Sequence, residues 1–257
     1  MKIGLIGAGN MARAMARGWG DPVFVSDTGS GRAQALVDEL GGEAFSSNAD
    51  LARSVDAVVL CHKPYHLEPV SRETAGHAKV VISVLGGITT GELQAAYPDT
   101  PVFALMPNTP VEVRQGVLVF AEPEQDQSRD PAVEQHVLEL FARLGKVVSV
   151  PERLLNTATA VTGVGPAYQA LLAEAQIDAA VRHGLNATLA AEMVVATMSG
   201  SAALLESRGY DTLTVRREVT SPGGSTARGL AALEEGGVRA AFQDAIDAVV
   251  WPDGRPK

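Results

Sequence analysis

Short apolar runs alternate with longer mixed segments through the first 150 residues of the chain. The runs are rich in β-branched residues and comprise KIGLI (2–6), VFVS (23–26), DAVVLC (56–61), KVVISV (79–84) and PVFALM (101–106). Continuous apolar runs of this length are typical of parallel strands that are buried on both faces. The segments between them predict helices, for example over 10–19, 30–40 and 65–75. The alternation indicates βαβ units and a doubly wound sheet covered by helices on both faces.

The pattern changes at about residue 150. Three further elements complete the predicted first domain at one edge, and they are VLVF (117–120), a helix near 130–144 and KVVSV (146–150). From Glu152 onward strand-like runs disappear and alanine-rich helical sequence takes over. Pro151 suits a boundary because it cannot continue a strand ladder and fits an opening helical turn. We therefore predict an α/β domain over 1–150 and an all-α domain over 151–257, which is short for a core of its own and is expected to pair with a second copy.

Composition excludes several classes of protein. The formal net charge of −9 argues against electrostatic binding to nucleic acid or to an anionic membrane. No stretch appears long and apolar enough to span a bilayer, and Met1-Lys2 leads straight into a predicted strand without a secretory pattern. The one cysteine, Cys61, excludes an intramolecular disulfide framework, and no metal-ligand spacing is present. These features favour a cytoplasmic protein.

A glycine motif stands between the first predicted strand and the first predicted helix. The segment IGLIGAGNMARAMARGW contains Gly7-x-Gly9-x-x-Ala12. The first glycine permits a tight turn, the second lets backbone amides approach a pyrophosphate, and the small third residue allows the helix to pack closely on the strand. The helix N-terminus favours the negative charge. The motif in this context predicts dinucleotide binding.

The turn after the second predicted strand leaves the choice between NADH and NADPH open. Asp27 lies twenty residues after Gly7, where a carboxylate accepts a hydrogen bond from the ribose 2′-hydroxyl of NAD. A turn or helix-capping role for Asp27 is as well supported. The same turn also contains groups that could hold the 2′-phosphate of NADP, and they are Ser26, Thr28, Ser30 and Arg32.

Two further loops follow predicted strands on the edge of the sheet where ligands bind. CHKPYHL places Lys63 and Pro64 after the DAVVLC strand, and MPNTP places Asn108 and Pro110 after the PVFALM strand. Each loop taken singly is equally well explained as an ordinary surface loop. Two such loops on one edge favour contact with a nicotinamide or a substrate. Cys61 and its neighbour are expected to pack rather than to act as nucleophile and base.

The second half of the chain lacks the groups that alcohol dehydrogenation needs. Between Val147 and Pro256 there is no lysine, and the only histidine is His183 in an apparent helix C-terminus. A protonated imine is already electrophilic and needs mainly to be positioned. The segment TSPGGSTARG supplies hydroxyls at Ser221, Ser225 and Thr226 before a helix that we expect to begin near Ser225, capped by Ser225 or Thr226. Its free amides would bind a carboxylate.

Several motifs together resemble the pyrroline-5-carboxylate reductase family over essentially the whole chain, in order. They are GAGNM (7–11), Lys63-Pro64, MPNTP (106–110), TGVGPAY (162–168) and VTSPGGSTARGLAALEEGGVRAA (219–241). The resemblance implies reduction of 1-pyrroline-5-carboxylate to L-proline with NADPH or NADH. It also implies a Rossmann-type domain followed by a helical domain that interlocks with a second subunit, often within a larger ring of dimers.

The resemblance assigns residues to both halves of a site. On the cofactor side it implies Gly7, Gly9, Asn10, Met11, Lys63, Pro64, Asn108 and Pro110. On the substrate side it implies carboxylate binding by Ser221, Gly224, Ser225 and Thr226. The Thr226 hydroxyl would also face the ring nitrogen, where either Thr226 or water supplies the proton. TGVGPAY would form the kinked entry of the long dimerisation helix.

The chain departs from the family pattern at Cys61-His62, at Leu85-Gly86-Gly87 and at Val164. A six-membered cyclic imino acid is therefore an alternative substrate. A non-catalytic dinucleotide-binding sensor is a third hypothesis, which the intact Ser-Pro-Gly-Gly-Ser-Thr loop disfavours.

Overall fold

A computed structural model describes residues 1–122, 130–252 and 254. Its contacts divide the chain into two compact units, Met1–Pro166 and Ala167–Lys257. The strands of the first unit are β1 (Ile3–Ile6), β2 (Val23–Ser26), β3 (Gly42–Phe45), β4 (Ala57–Leu60), β5 (Val81–Ser83), β6 (Val102–Pro107), β7 (Gly116–Glu122) and β8 (Gly145–Pro151).

Helices alternate with these strands. Those of the first unit are α1 (Asn10–Trp19), α2 (Arg32–Leu40), α3 (Asn48–Ser54), α4 (Leu67–Thr74), α5 (Thr90–Ala96), α6 (Pro131–Ala142) and α7 (Leu155–Thr162). The later helices are α8 (Gly165–Arg182), α9 (Ala187–Ser207), α10 (Thr212–Glu218), α11 (Ser225–Glu235) and α12 (Val238–Val250). Local signals fix several boundaries: α1 ends at Gly20 with a φ of 69°, and α6 begins where the Asp130 carboxylate accepts a hydrogen bond from Ala132 N.

The strands form one eight-stranded sheet in the order β3-β2-β1-β4-β5-β6-β7-β8. Neighbouring strands are parallel except for the β6–β7 pair, which is antiparallel. The chain runs outward from β1 towards β3 and then returns to place β4 on the other side of β1. The predicted doubly wound fold is therefore confirmed, and its switch point lies between β1 and β4.

Successive side chains of the strands feed two hydrophobic clusters, one on each face of the sheet. Leu5 and Val59 belong to the cluster that includes Trp19 of α1 and Phe141 of α6. Ile6 and its neighbours on β4 and β5 belong to the cluster on the opposite face, beneath α3, α4 and α5. The strands inside the sheet are buried on both sides because side chains alternate along them, which explains their continuous apolar runs in the sequence, whereas the edge strands β3 and β8 are partly exposed.

The structure differs from the sequence-based interpretation at two places in this unit. The strand β3 was not predicted, because GEAF lies at the sheet edge, where its residues are exposed or half-buried. The contacts divide the chain after Pro166, whereas the sequence suggests a boundary at Pro151. Residues after Pro151 still pack on the sheet: Leu155 joins the second cluster, and the Glu152 carboxylate accepts hydrogen bonds from Thr90 N and Thr90 Oγ1, both at 2.5 Å.

The second unit buries very little apolar surface by itself. Among its described residues only Ala190 is a buried hydrophobic residue, while Leu171, Met193 and Val195 are 51–64% exposed. Helix α9 is 21 residues long and apolar enough in composition to cross a membrane, so the expectation that no stretch passes this test is wrong. A helix that packs against another protein surface passes the same test, because both need a long apolar face.

Candidate active site

The glycine turn between β1 and α1 has the backbone that its sequence predicts. Gly7 has a φ of 102°, and a Cβ built there would lie 2.9 Å from His62 N, so any side chain would collide with the loop after β4. Gly9 precedes α1 and has no atom within 4 Å of a built Cβ. Packing within the chain therefore does not require glycine at position 9. The open space over the helix N-terminus suits the close approach of a pyrophosphate.

Asn10 and Met11 open α1, directly after this turn. Sequence reasoning missed Arg13, which lies in the first turn of the same helix. The Arg13 guanidinium donates from Nη2 to Asn10 Oδ1 at 2.7 Å, and its Nε is buried without a hydrogen-bond partner among the described residues. A cation at a helix N-terminus opposes the helix dipole. An anion bound at the turn would compensate for the unpartnered Nε and for the unfavourable charge. An arginine near the start of a helix is visible in the sequence and could have pointed to Arg13.

Asp27 lies at the end of β2 and faces the glycine turn. Its Oδ1 accepts a hydrogen bond from Ala8 N at 3.4 Å, and its Oδ2 accepts one from the Ser30 hydroxyl. The residue does not cap α2, whose N-cap is Gly31 without a side-chain bond. Burial raises the pKa of the Asp27 carboxyl, but the bonds from Ser30 and Ala8 and the charge of Arg32 outweigh it, so the pKa lies below its usual value. Asp27 therefore does not cap α2, whereas its bond from Ser30 fits the turn role and its place beside Ala8 fits the ribose-binding role.

Lys63 and Pro64 follow β4 at the same edge of the sheet. Lys63 precedes a short 3-10 helix (Pro64–His66) and is exposed, and its carbonyl accepts hydrogen bonds from His66 N and from the His62 ring. Burial raises the pKa of the Cys61 thiol far above its usual value, which makes a thiolate nucleophile unfavourable. Burial also lowers the pKa of His62, and His66 contributes to the lowering.

Asn108 follows β6 and uses both ends of its amide within the first unit. Its Oδ1 accepts from Val117 N at 2.8 Å, and its Nδ2 donates to Thr162 O at 3.0 Å. The residue is 7% exposed, so it connects the end of β6 to β7 and to the last residue of α7. Pro110 lies in the 3-10 helix Thr109–Val113, where its carbonyl accepts from Gln115 N at 3.1 Å. The structure therefore gives Asn108 a bracing role that the sequence did not predict.

The loop over 219–224 joins α10 to α11 in the second unit. Gly223 has a φ of 68°, and its carbonyl accepts from Arg228 Nη1 at 2.8 Å, a contact that the sequence did not predict. A Cβ built on Gly224 would lie 2.4 Å from Ser221 Oγ. Ser221 is thus packed directly against the Cα of Gly224, and a larger residue at 224 would displace it.

Helix α11 begins at Ser225, as predicted, but the predicted cap is wrong. The N-cap is Gly224, and no side chain caps the helix. The first intrahelical bond runs from Arg228 N to Gly224 O at 3.2 Å, so the amides of residues 225–227 precede the hydrogen-bond ladder. The hydroxyls of Ser221, Ser225 and Thr226 make no hydrogen bond within the described part of the chain. This end of α11 therefore offers both amides and hydroxyls to an anion.

The fold and the glycine turn define a dinucleotide-binding protein of the oxidoreductase type. Residues 2–87 match a family model described as NADP oxidoreductase coenzyme F420-dependent, and residues 152–251 match one described as Pyrroline-5-carboxylate reductase dimerisation. The chain belongs to the pyrroline-5-carboxylate reductase family, since it is 32% identical to the pyrroline-5-carboxylate reductase of Synechocystis over 96% of this chain and 95% of that protein.

Solved structures of the family agree over the whole chain. The pyrroline-5-carboxylate reductase of Streptococcus pyogenes is 30% identical, with a TM-score of 0.87 over 97% of this chain and 96% of that chain. The enzyme of Plasmodium falciparum, solved with NADP bound, is 27% identical, with a TM-score of 0.86 over 97% of this chain and 95% of that chain. The predicted combination of an N-terminal Rossmann-type sheet and a C-terminal helical region is thereby confirmed.

Proposed function

We propose that this protein reduces 1-pyrroline-5-carboxylate to L-proline with NADPH or NADH, the last step of proline synthesis. The observation that carries the proposal is the start of α11, where free amides and three hydroxyls without described partners converge after Gly224. Membership of the family supports it. The bound dinucleotide supplies the hydride that reduces the C=N bond.

The residues of the chain have two tasks in this reaction. Ser221, Ser225 and the amides at the start of α11 bind the carboxylate of the imino acid. A single hydrogen bond to a charged group contributes about 1.5–3 kcal/mol, so two or three of them distinguish a carboxylated imine from an uncharged one. The N-terminal end of the helix dipole adds to the same preference.

Thr226 has the second task, which concerns the ring nitrogen. Its side chain follows Ser225 on the first turn of α11 and is half-buried. In the proposed complex its hydroxyl donates a hydrogen bond to the ring nitrogen and orients the imine. Reduction adds the hydride to the ring carbon of the C=N bond, and the nitrogen takes up one proton, from the Thr226 hydroxyl or from water, to become the secondary amine of proline.

We further propose that the helical unit forms a homodimer. The unit leaves large apolar side chains exposed, including Leu171, Met193 and Val195, and its sequence matches a dimerisation model. Many large exposed apolar side chains on one small unit favour an interaction surface. Larger assemblies, such as a ring of dimers, would build on this contact.

Turnover with defined substrates tests the proposed reaction. The purified protein is mixed with NADH or NADPH and either pyrroline-5-carboxylate or its six-membered homologue, and cofactor oxidation is followed at 340 nm. We expect the five-membered ring to react faster. A higher kcat/KM for the six-membered ring would reassign the substrate, and no oxidation with either imine would contradict an enzymatic function.

Substitution of Thr226 tests its assigned role. Thr226→Ala should lower kcat about tenfold or more, the effect of removing one hydrogen bond, while the Kd of the dinucleotide stays within a factor of two. Thr226→Ser keeps the hydroxyl and serves as the matched control. Equal weakening of dinucleotide binding in Thr226→Ala would show that the loop contacts the cofactor instead.

A further inference from the structure

We propose that Asp27 selects NADH over NADPH in this protein. The inference rests on the proposed use of the glycine turn as the dinucleotide site. It identifies Asp27 as a specificity-determining residue and predicts that the chain differs from its Plasmodium relative, whose structure was solved with NADP.

The position of the Asp27 carboxylate fits a ribose rather than a phosphate. The side chain is only 8% exposed, and Oδ1 accepts from Ala8 N, an amide within the glycine turn itself. The carboxylate therefore lies beside the loop that would hold the pyrophosphate, at the end of β2. An ionised carboxylate offers about four acceptor positions, so one remains for a ribose 2′-hydroxyl after the bonds from Ala8, Ser30 and the Thr28 amide.

Most of the hydroxyls that could bind a 2′-phosphate in the same turn are already engaged. Ser26 is 2% exposed, and its hydroxyl donates to Asn48 Oδ1 at 2.6 Å, away from solvent. The Ser30 hydroxyl donates to Asp27. Two of the three hydroxyls in this turn are thus used within the first unit, and both bonds would have to break before either hydroxyl could donate to a phosphate.

Arg32, the cation of this turn, already lies close to the Asp27 carboxylate. Arg32 Nε lies 3.7 Å from Asp27 Oδ2 and donates to Ser30 Oγ at 2.8 Å. Its positive charge balances the carboxylate that is already present. A 2′-phosphate would bring about two further negative charges next to Asp27 without a second cation in the turn, whereas a ribose hydroxyl brings none.

Equilibrium titration tests the proposal without any imine. The fluorescence of NADH and NADPH is followed as each is titrated with the full-length protein, and the ratio of the two Kd values is measured. We expect NADH to bind at least fivefold more tightly. A smaller ratio, or tighter binding of NADPH, would overturn the proposal. This measurement uses the wild-type protein alone.

Two variants locate the effect. Asp27→Asn keeps the shape of the side chain and removes its charge, and it should shift the ratio at least fivefold towards NADPH. Asp38→Asn is the matched control, because Asp38 is an exposed carboxylate on α2 that accepts from Gln34 and lies outside the turn. An unchanged ratio in Asp27→Asn, or an equal shift in Asp38→Asn, would assign the selection to another group.

These titrations are independent of the proposed reaction. Selective binding of NADH by a protein that reduces neither imine would support the role of Asp27 and contradict the reductase function. Reduction of pyrroline-5-carboxylate by a protein that binds both dinucleotides equally would support the reductase function and contradict the role of Asp27.

Discussion

Gly224→Ala should change imine binding by the loop over 219–224 without changing dinucleotide binding. The φ of Gly224 is −71°, which alanine adopts without strain, so the substitution acts through space and through the N-cap position of α11, where alanine is less favourable than glycine. The new Cβ would lie 2.4 Å from Ser221 Oγ and 3.1 Å from Ser221 O. Restoring an ordinary contact requires the Ser221 hydroxyl to move by about 1 Å.

A hydroxyl can rotate at little cost in stability, but it then leaves its place in the carboxylate site. Loss of one charge-assisted hydrogen bond costs about 1.5–3 kcal/mol, which corresponds to a decrease of about tenfold to 150-fold in kcat/KM. We expect the KM for the imine to carry most of this change, while the dinucleotide Kd stays close to that of the wild type and the free energy of unfolding falls by about 1 kcal/mol, because alanine replaces glycine at the N-cap.

Gly229→Ala is the matched control, since it makes the same chemical change within α11. A Cβ at position 229 meets no atom within 4 Å, and alanine in a helix interior is favoured over glycine by about 0.5–1 kcal/mol. This variant should be slightly more stable and fully active. Steady-state kinetics and urea unfolding measure both effects. If Gly224→Ala retained the wild-type KM within a factor of two, Ser221 would not bind the substrate.

Three further predictions concern charge and the apolar surface. Arg13→Gln should raise the dinucleotide Kd several-fold, which fluorescence titration measures, with the exposed Arg72→Gln as control. It should also slightly stabilise the free protein, because a cation at a helix N-terminus costs about 0.3–1 kcal/mol. His62 has a lowered pKa, so the unfolded state binds its proton first as the pH falls through its ordinary value of 6.5, and stability is lost there. His62→Gln should reduce the loss seen in urea unfolding between pH 7.5 and 5.5, and equal losses in both proteins would contradict the argument. Met193→Asp should shift the protein from dimer to monomer in light scattering, whereas Met193→Leu should not.

The sequence revealed most of the strands. Seven apolar runs became β1, β2, β4, β5, β6, β7 and β8 with bounds within two residues of the prediction, including β8 at the exposed edge of the sheet. The other edge strand, Gly42–Phe45, carries no such run, and its residues are exposed or half-buried. The direction of β7 was not readable either, since a buried strand has the same composition whether its neighbour is parallel or antiparallel.

For the candidate site, the sequence predicts roles that depend on neighbouring residues but not roles that depend on distant ones. The role of Gly7 follows from a turn between adjacent elements, which a short motif describes completely. The amide of Asn108 is held by Val117 and by Thr162, which is 54 residues away, and no local pattern contains that information. The helix-capping role of Asp27 was excluded only when its partners proved to be Ala8 and Ser30 rather than an amide of α2.

The residues proposed to bind the dinucleotide and those proposed to bind the imine depend on different sources of stability. The glycine turn belongs to a unit with two buried hydrophobic clusters, so it is held by the core of that unit. The loop over 219–224 is carried by helices in which Ala190 is the only buried hydrophobic residue among those described. These helices need apolar cover from a partner surface to be as rigid as the sheet. Loss of that partner should therefore weaken imine binding before it weakens dinucleotide binding, so imine binding is the step that depends on assembly.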